Sequence, residues 1–137
     1  MTTSNGAGYG GAILNLNGSL NLTNSTVAGN FASSTAGGLF VAAQGAAGTA
    51  VATATLRNTI VSGSSGTTVD VAIYQDMGTM ASLDVSISNI ITSDIVKVSG
   101  TPTVTGSPNQ MDPNLGPLMG NGGPTPTKSL GQKMFGY

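Results

Sequence analysis

The sequence predicts an all-β chain that winds as a parallel β-helix, and three observations support this prediction. Apolar and polar residues alternate with a period of two in several short segments, which is typical of half-buried strands. The strand pattern recurs along the 137-residue chain at intervals of 27 to 34 residues, a period typical of a solenoid. Charged side chains make up only 7% of the chain, where about 25% is usual.

The strands are predicted where the alternation is clearest. Residues 80–99 lie in the longest stretch without Gly or Pro, and within it Leu83, Val85 and Ile87 alternate with polar residues. Gly and Pro interrupt the rest of the chain too often for helices. The other predicted strands are the short alternating segments 14–16, 20–23, 52–56, 69–73 and 96–98.

Two motifs repeat along these strands. Residues 22–29 (LTNSTVAG) align with residues 56–63 (LRNTIVSG), and residues 87–94 (ISNIITSD) form a third, weaker copy. The segment GGAI at residues 10–13 is matched by GGLF at residues 37–40, 27 positions later. Because each repeat carries a similar strand pattern, successive repeats are expected to stack as coils.

One asparagine recurs in the three aligned copies. Asn24, Asn58 and Asn89 follow one another at intervals of 34 and 31 residues, and each has the inward parity of the apolar residues before it. A buried amide needs hydrogen-bond partners, which an identical amide in the next coil provides. Asn also tolerates the left-handed backbone of a sharp bend. We therefore predict that these residues form a buried asparagine ladder at one corner.

The composition changes near residue 100. All six prolines lie between Pro102 and Pro126, and proline cannot donate to a sheet ladder. Segments 44–48 and 75–80 are read as loop insertions between coils. We therefore divide the chain into parallel β-helix coils at residues 1–99 and a Pro/Gly-rich terminal cap or tail at residues 100–137.

The composition also excludes several kinds of chemistry. The chain has no His, Cys or Trp, so it lacks an imidazole base, a thiolate nucleophile and the usual zinc ligands. We predict no catalytic residues, no cofactor and no metal. A net charge of -1 gives no basic surface for nucleic acid, and no apolar run reaches the ~20 residues of a membrane-spanning helix.

A glycine-rich motif lies near the start of the sequence. Residues 6–11 (GAGYGG) match a dinucleotide-binding fingerprint literally, but that function requires a preceding strand, a following helix and an acid about 20 positions later. The first acidic residue is Asp70. We therefore read the motif as a Gly-rich turn that enters the first coil, and we predict no nucleotide cofactor.

The repeats resemble a known group of proteins. GGAI followed by a strand and by LTNSTVAGN resembles the repeats of bacterial right-handed parallel β-helix surface proteins, including the polymorphic outer membrane protein type and the choice-of-anchor repeat proteins. The tail segments 112–118 (DPNLGPL) and 121–127 (NGGPTPT) resemble the closing segment of such β-helices. Residues 128–133 depart from the family pattern, which continues into a His-containing, leucine-rich segment.

The resemblance covers about residues 8 to 130 and implies a right-handed β-helix of about three to four coils. It also implies an extracellular or bacterial cell-surface location, although residues 1–6 lack the basic and apolar regions of a signal peptide. The implied role is a structural or adhesive module of a surface protein or self-assembling fibre. Because a coil stack exposes unpaired backbone at its ends, we expect self-association or stacking onto the rest of a longer chain.

Two alternatives belong to other functional classes. The first is a carbohydrate-binding or polysaccharide-degrading β-helix, for which clustered acids and aromatic platforms would be the signal. Asp70, Asp84 and Tyr74 are the weak surface-binding candidates, and both acids have outward parity. A carbohydrate or another cell-surface ligand is accordingly the second kind of partner expected.

The second alternative is an ice-binding β-solenoid, which needs rows of Thr on one flat face. Thr53 and Thr55 form one Thr-x-Thr pair, and residues 101–105 contain another set. From the aligned motifs, the expected equivalents of the first pair are Ser19 and Asn21 in one coil and Asp84 and Ser86 in another. Thr is therefore not expected to recur on successive coils.

Overall fold

Strands form where the sequence alternates apolar and polar residues and also where it is continuously apolar, as at residues 39–43. Several of them end just before an Asn or Gly with positive φ. The structure, a computed structural model, describes residues 8–66 and 69–130. These residues contain thirteen β-strands and no helix. The strands are β1 (Ile13–Leu16), β2 (Ser19–Thr23), β3 (Thr26–Ala28), β4 (Leu39–Ala43), β5 (Val51–Arg57), β6 (Ile60–Ser62), β7 (Val71–Gln75), β8 (Met80–Ile87), β9 (Ile90–Ile91), β10 (Val96–Ser99), β11 (Thr103–Thr105), β12 (Leu118–Met119) and β13 (Thr127–Lys128).

Three parallel sheets account for the first eleven strands. The first sheet has the order β1-β4-β7-β10, the second β11-β8-β5-β2, and the third β3-β6-β9. Consecutive strands along the chain fall in the first, second and third sheet in turn, and the next strand returns to the first sheet. The two remaining strands, β12 and β13, pair antiparallel. The predictions of an all-β chain and of parallel strand pairing are confirmed.

The core receives apolar side chains from all three sheets. On β5, Ala52, Ala54 and Leu56 are buried while the residues between them are half-buried or exposed, as the alternation predicts. Burying one Leu or Ile completely contributes about 1.5–3 kcal/mol to folding. The largest fully buried apolar side chains are Leu39, Leu56, Ile73, Leu83, Ile91, Val41, Val61, Val71 and Val85.

The pairing of β2 with β5 and of β3 with β6 confirms the predicted alignment of residues 22–29 with 56–63. The other registers differ from the motif alignments by one or two residues. Ile13 pairs with Leu39, so the glycine motifs are offset by 26 positions rather than the predicted 27. Between β5 and β8 the register shifts after Thr55, and Arg57 pairs with Ile87. A bulge or similar irregularity inserts an extra residue into one strand, which spacing alone does not reveal.

The proline-rich region joins the parallel sheets at two places. β11 pairs with β8, so the second sheet extends beyond the predicted boundary at residue 99. Asn109 then forms a parallel bridge to Ile90 at the edge of the third sheet, where its N–H donates to the Asn89 carbonyl at 2.8 Å. The boundary between coils and tail stays a prediction.

Some of the sequence predictions fall on residues 1–7 and 131–137. The first two residues of the glycine motif, the N-terminal segment compared with a signal peptide, and residues 131–133 lie outside the described residues. Over the ranges that are described, no helix has the length and apolar character needed to cross a membrane.

A candidate ligand-binding groove and the predicted site residues

The outer face of the first sheet is apolar. Strand alternation turns Leu14 of β1 outward, and the register places it beside Phe40 of β4. Two residues further along β1, Leu16 lies beside Ala42 of β4. Ala42 in turn pairs with Tyr74 of β7. Leu14 and Leu16 are about half exposed, at 51% and 49%. Two adjacent rows of apolar side chains therefore face outward.

Aromatic rings enclose a groove on this face. The rings of Tyr9 and Phe40 stack with their centroids 5.6 Å apart and an interplanar angle of 22°. Tyr74 also lies close to Phe40, with 6.5 Å between the ring centroids and an interplanar angle of 56°. Phe40 is only 6% exposed, whereas Tyr9 is 56% exposed. The groove has a volume of about 240 Å³ and is also lined by Leu14, Leu16, Ala42 and Gln44.

Hydrogen bonds fix one wall of the groove. The Tyr74 hydroxyl donates to Asp76 Oδ1, and the Gly45 N–H donates to Asp76 Oδ2 at 2.9 Å. The bond from Tyr74, followed by that from Gly45, lowers the pKa of Asp76. The same bond, with smaller effects of desolvation and of the Asp76 charge, raises the pKa of Tyr74. Both carboxylate oxygens of Asp76 are thus used within the protein.

A second pair of hydrogen bonds positions Gln44. Asn17 Nδ2 donates to the Gln44 carbonyl at 2.8 Å, and the Gln44 N–H donates to Asn17 Oδ1 at 2.8 Å. Asn17 has a φ of 53°, a left-handed conformation that Asn adopts more readily than most residues. Gln44 is exposed, and its side-chain amide makes no hydrogen bond to any other described residue. A free amide therefore stands at the rim of an apolar groove.

Asp70, predicted to face outward, is instead buried with 4% exposure. The Ser64 N–H donates to Asp70 Oδ1 at 3.0 Å, and the Thr92 hydroxyl donates to Asp70 Oδ2 at 2.5 Å. Asp70 precedes β7, and its main-chain N–H donates to Ser93 Oγ at 2.7 Å. The prediction of an outward Asp70 is wrong because this residue lies before the strand, where its carboxylate accepts hydrogen bonds from neighbouring donors and does not follow the strand alternation.

Asp84 lies on the second sheet, between Thr55 and Thr105. It is half-buried, and the Ser86 N–H donates to its Oδ1 at 2.9 Å. Hydrogen bonding by Ser86 lowers the pKa of Asp84, with a smaller contribution from the charge of Arg57. The three surface-binding candidates thus do not form one site: Tyr74 lines the groove, Asp70 is buried, and Asp84 belongs to another sheet.

The predicted asparagine ladder contains one direct link. Asn58 Nδ2 donates to Asn24 Oδ1 at 3.2 Å, but both residues are exposed rather than buried. Their φ values are 51° for Asn24 and 49° for Asn58, so the strand alternation ends before each Asn and its side chain turns to the surface. The burial predicted for these two residues is wrong for this reason.

Asn89 occupies a different position from the other two. Ser88 takes the left-handed backbone with a φ of 42°, and Asn89 follows it with 3% exposure. Asn89 Nδ2 donates to the Leu56 carbonyl at 2.8 Å, and its Oδ1 accepts from the Thr59 N–H at 3.0 Å. Its buried amide therefore bonds to the backbone of the neighbouring strand region rather than to Asn58.

The outer face of the second sheet is polar. Thr53 pairs with Ser82 and Thr55 with Asp84, so the equivalents predicted for this pair, Asp84 and Ser86, are each displaced by two positions. One row contains only hydroxyl side chains, whereas the other includes an amide and a carboxylate. The rows are Ser19, Thr53, Ser82 and Thr103, and Asn21, Thr55, Asp84 and Thr105.

Tyr74 was predicted from the sequence, whereas Asn17, Gln44 and Asp76 were not. A correct alignment of residues 13–16 with 39–42 is the signal that would have found the pair of Asn17 and Gln44. The contact of Asp76 with Gly45 follows instead from the pairing of β4 with β7. The described residues contain no group of three or more His, Cys, Asp or Glu side chains able to hold a metal ion. No family model, curated protein or solved structure matches the chain.

Proposed function

We propose that the chain is a right-handed parallel β-helix of about three to four coils that serves as a structural or adhesive module. The proposed setting is an extracellular bacterial surface protein or a self-assembling fibre, and the proposed role involves no catalysis. The strand order supports the β-helix, because three parallel sheets receive their strands in the same rotation along the chain. Parallel crossovers within one sheet are right-handed in about 98% of cases, which supports the proposed hand.

The observation that carries the proposal is an open edge shared by the first three strands. β1, β2 and β3 each stand at the end of their sheet. Within the described ranges, no strand pairs with their outer edges. Such edges present a row of unsatisfied N–H and C=O groups, to which another strand layer readily adds.

The side chains at this edge are incompletely covered. Ile13, Leu20, Leu22 and Val27 pack against the core but are only partly buried. Their partners in the next strands, by contrast, are fully or almost fully buried: Leu39, Ala54, Leu56 and Val61. A further layer of parallel strands would bury these four side chains and pair the open edge. A second copy of this chain would supply such a layer by presenting the opposite end of its sheets, where β10 and β11 are the last strands. The remainder of a longer chain would do the same.

The composition and the tail support the proposed setting. With 7% charged residues and a net charge of -1, the chain has little electrostatic repulsion to oppose association. The resemblance of the tail to the closing segment of bacterial surface β-helices supports the family and the extracellular location. At about 4.8 Å between strands, stacking copies would lengthen a fibre by on the order of 15 to 20 Å each.

Proline placed in the open edge tests the proposal. The Thr53 N–H donates to the Gly18 carbonyl, so the alternation of a parallel ladder turns the Asn21 N–H away from β5 and toward the open edge. Asn21→Pro removes that donor while leaving the pairing with β5 intact. Asn21→Ala, which keeps the N–H, is the matched control.

The measurement is size-exclusion chromatography over a range of concentrations, with negative-stain microscopy of the fractions. We expect the native chain and Asn21→Ala to form elongated assemblies that grow with concentration, and Asn21→Pro to remain folded but monomeric. A native chain that is monomeric at every concentration would overturn self-association, as would assemblies of Asn21→Pro equal to those of the native chain.

A further inference from the structure

We propose that the groove on the first sheet binds a neutral carbohydrate chain of β-linked, glucose-type pyranose rings. The inference deepens the adhesive role proposed above and rests on it, because it names the ligand that the surface holds. The groove differs from the open edge in position and in chemistry. It is formed by outward side chains of β1, β4 and β7, together with Tyr9, on the face of the first sheet. Strand β1 also belongs to the open edge, but there it contributes main-chain groups, whereas it contributes the Leu14 and Leu16 side chains to the groove.

The lining matches the two kinds of surface on such a sugar. A β-linked glucose-type ring presents axial C–H groups on its faces and hydroxyls around its rim. Apolar and aromatic side chains with a few polar groups are typical of small-molecule sites, and an aromatic ring offers a flat, electron-rich face to C–H groups. The rings of Tyr9 and Tyr74 both contact that of Phe40 here, and the amide of Gln44 is available at the rim for a hydroxyl.

The electrostatics select an uncharged ligand. Every residue that lines the groove is uncharged. The nearest carboxylate, that of Asp76, already accepts hydrogen bonds from Tyr74 and Gly45. An acidic polysaccharide would lose hydration in the groove without gaining a cationic partner, which costs free energy. A neutral sugar has no such cost, so charge matching favours neutral glucans over uronic acid polymers.

The wall of the groove is already held in position. Asp76 orients the Tyr74 hydroxyl, and the two hydrogen bonds between Asn17 and Gln44 join the chain at the rim across 27 residues. A ligand that enters a preformed site loses less binding free energy to ordering of the protein. The stacking of Tyr9 on Phe40 likewise holds these two rings in position before a ligand binds.

Isothermal titration calorimetry with soluble hexasaccharides tests the proposal. The probes are cellohexaose and chitohexaose, both neutral, and hexagalacturonate, which is acidic. They are titrated into the Asn21→Pro variant as well as the native chain, so that self-association does not enter the measurement. We expect at least one neutral probe to bind both proteins and hexagalacturonate not to bind either.

Three variants assign the binding to the groove. Tyr74→Ala removes one ring and should weaken binding about tenfold or more. Tyr74→Phe keeps the ring and loses only the hydrogen bond to Asp76, so it should bind more weakly than the native chain but more tightly than Tyr74→Ala. Tyr9→Ala changes a mainly exposed side chain and should also weaken binding, which covers the case in which Tyr74→Ala does not fold. Thr55→Ala, on the second sheet, is the control and should bind normally.

Several results would overturn the proposal. These are the absence of binding by both neutral probes, a preference for hexagalacturonate, or binding that neither tyrosine variant weakens. If Leu14→Asp reduced the size of the native assemblies while neither sugar bound, the face would be an interface between copies. If the chain assembles but binds no sugar, the sugar-binding proposal fails and self-association stands. If the chain binds sugar but is always monomeric, self-association fails and the sugar-binding proposal stands.

Discussion

Asn58 Nδ2 donates a hydrogen bond to Asn24 Oδ1 at 3.2 Å, although the two residues are 34 positions apart in the sequence. Each follows the end of a strand of the second sheet, and both have a left-handed backbone. The pair therefore combines two functions of asparagine, since the backbone turns the chain toward the third sheet while the side chains link neighbouring strands.

Asn58→Leu should lower the free energy of unfolding by about 1–2 kcal/mol. In the left-handed region the Cβ atom of a residue such as Leu lies too close to the following carbonyl oxygen, which is unfavourable by about that amount. Asn58→Gly is the matched control, since glycine tolerates the φ of 49° and loses only the exposed hydrogen bond. Urea denaturation measures both variants. Equal stability of the leucine variant and the native chain would contradict the proposed role of the backbone conformation.

Asn89→Leu should cost more than a change at an exposed asparagine. The substitution leaves the Thr59 N–H and the Leu56 carbonyl without their buried partner, which costs about 1–3 kcal/mol. Asn24→Gly, which loses one exposed hydrogen bond, provides the comparison. Thermal unfolding of the two variants measures the difference, and a smaller loss for Asn89→Leu than for Asn24→Gly would contradict this account.

The hydrogen bond between Tyr74 and Asp76 predicts that the stability of the fold decreases at both low and high pH. Because the folded pKa of Asp76 is lowered, its contribution to stability is present above the ordinary aspartate pKa and is lost as pH falls through the lowered value. Because the folded pKa of Tyr74 is raised, its contribution is present below the ordinary tyrosine pKa and is lost as pH rises through the raised value.

Ultraviolet absorbance of the phenol groups as a function of pH measures this coupling directly. The difference between the native chain and Tyr74→Phe isolates the Tyr74 transition from those of the other tyrosines. Asp76→Asn should move that transition to lower pH, because it removes the carboxylate that accepts the hydroxyl proton. An unchanged transition in Asp76→Asn would show that the hydrogen bond does not hold the phenol.

Gly38→Ala should destabilise the stacked strands through a steric clash. A Cβ atom at this position would lie 2.5 Å from Val61 Cγ1 and 2.6 Å from the Asp70 carbonyl oxygen. Forcing extra volume into a packed interior costs about 1–3 kcal/mol. Gly120→Ala is the control, since a Cβ there meets nothing within 4 Å. Equal melting temperatures for the two variants would argue against close packing at the repeated glycine motif.

The alternation of β5 and β8 predicted the strands and the parallel pairing, because a period of two identifies one face of a strand without knowledge of its neighbours. The register was missed by one residue at the glycine motif, where Gly11 stands opposite Gly37 and the repeated small residues allow either alignment. The register shift after Thr55 has no sequence signature. It explains why Asn89 was aligned with Asn58 although Ser88 takes the equivalent backbone.

The candidate site was predictable only in part for a related physical reason. Tyr74 was selected because it is one of the few aromatic residues in the predicted coils, and composition sufficed for that. Asp76 lies only two positions from Tyr74, but its contact with Gly45 depends on the register of β4 and β7, which the local sequence does not reveal. The burial of Asp70 depends in the same way on Ser64 and Thr92, which lie 6 and 22 positions away.

X-ray diffraction from aligned assemblies of the native chain tests the central claim, which is that coils stack across the open edge of β1, β2 and β3. If they do, strands run across the long axis of the assembly, and the account predicts a reflection at about 4.8 Å along that axis. A 4.8 Å reflection perpendicular to the axis would mean that copies associate side by side through their faces, which would contradict stacking.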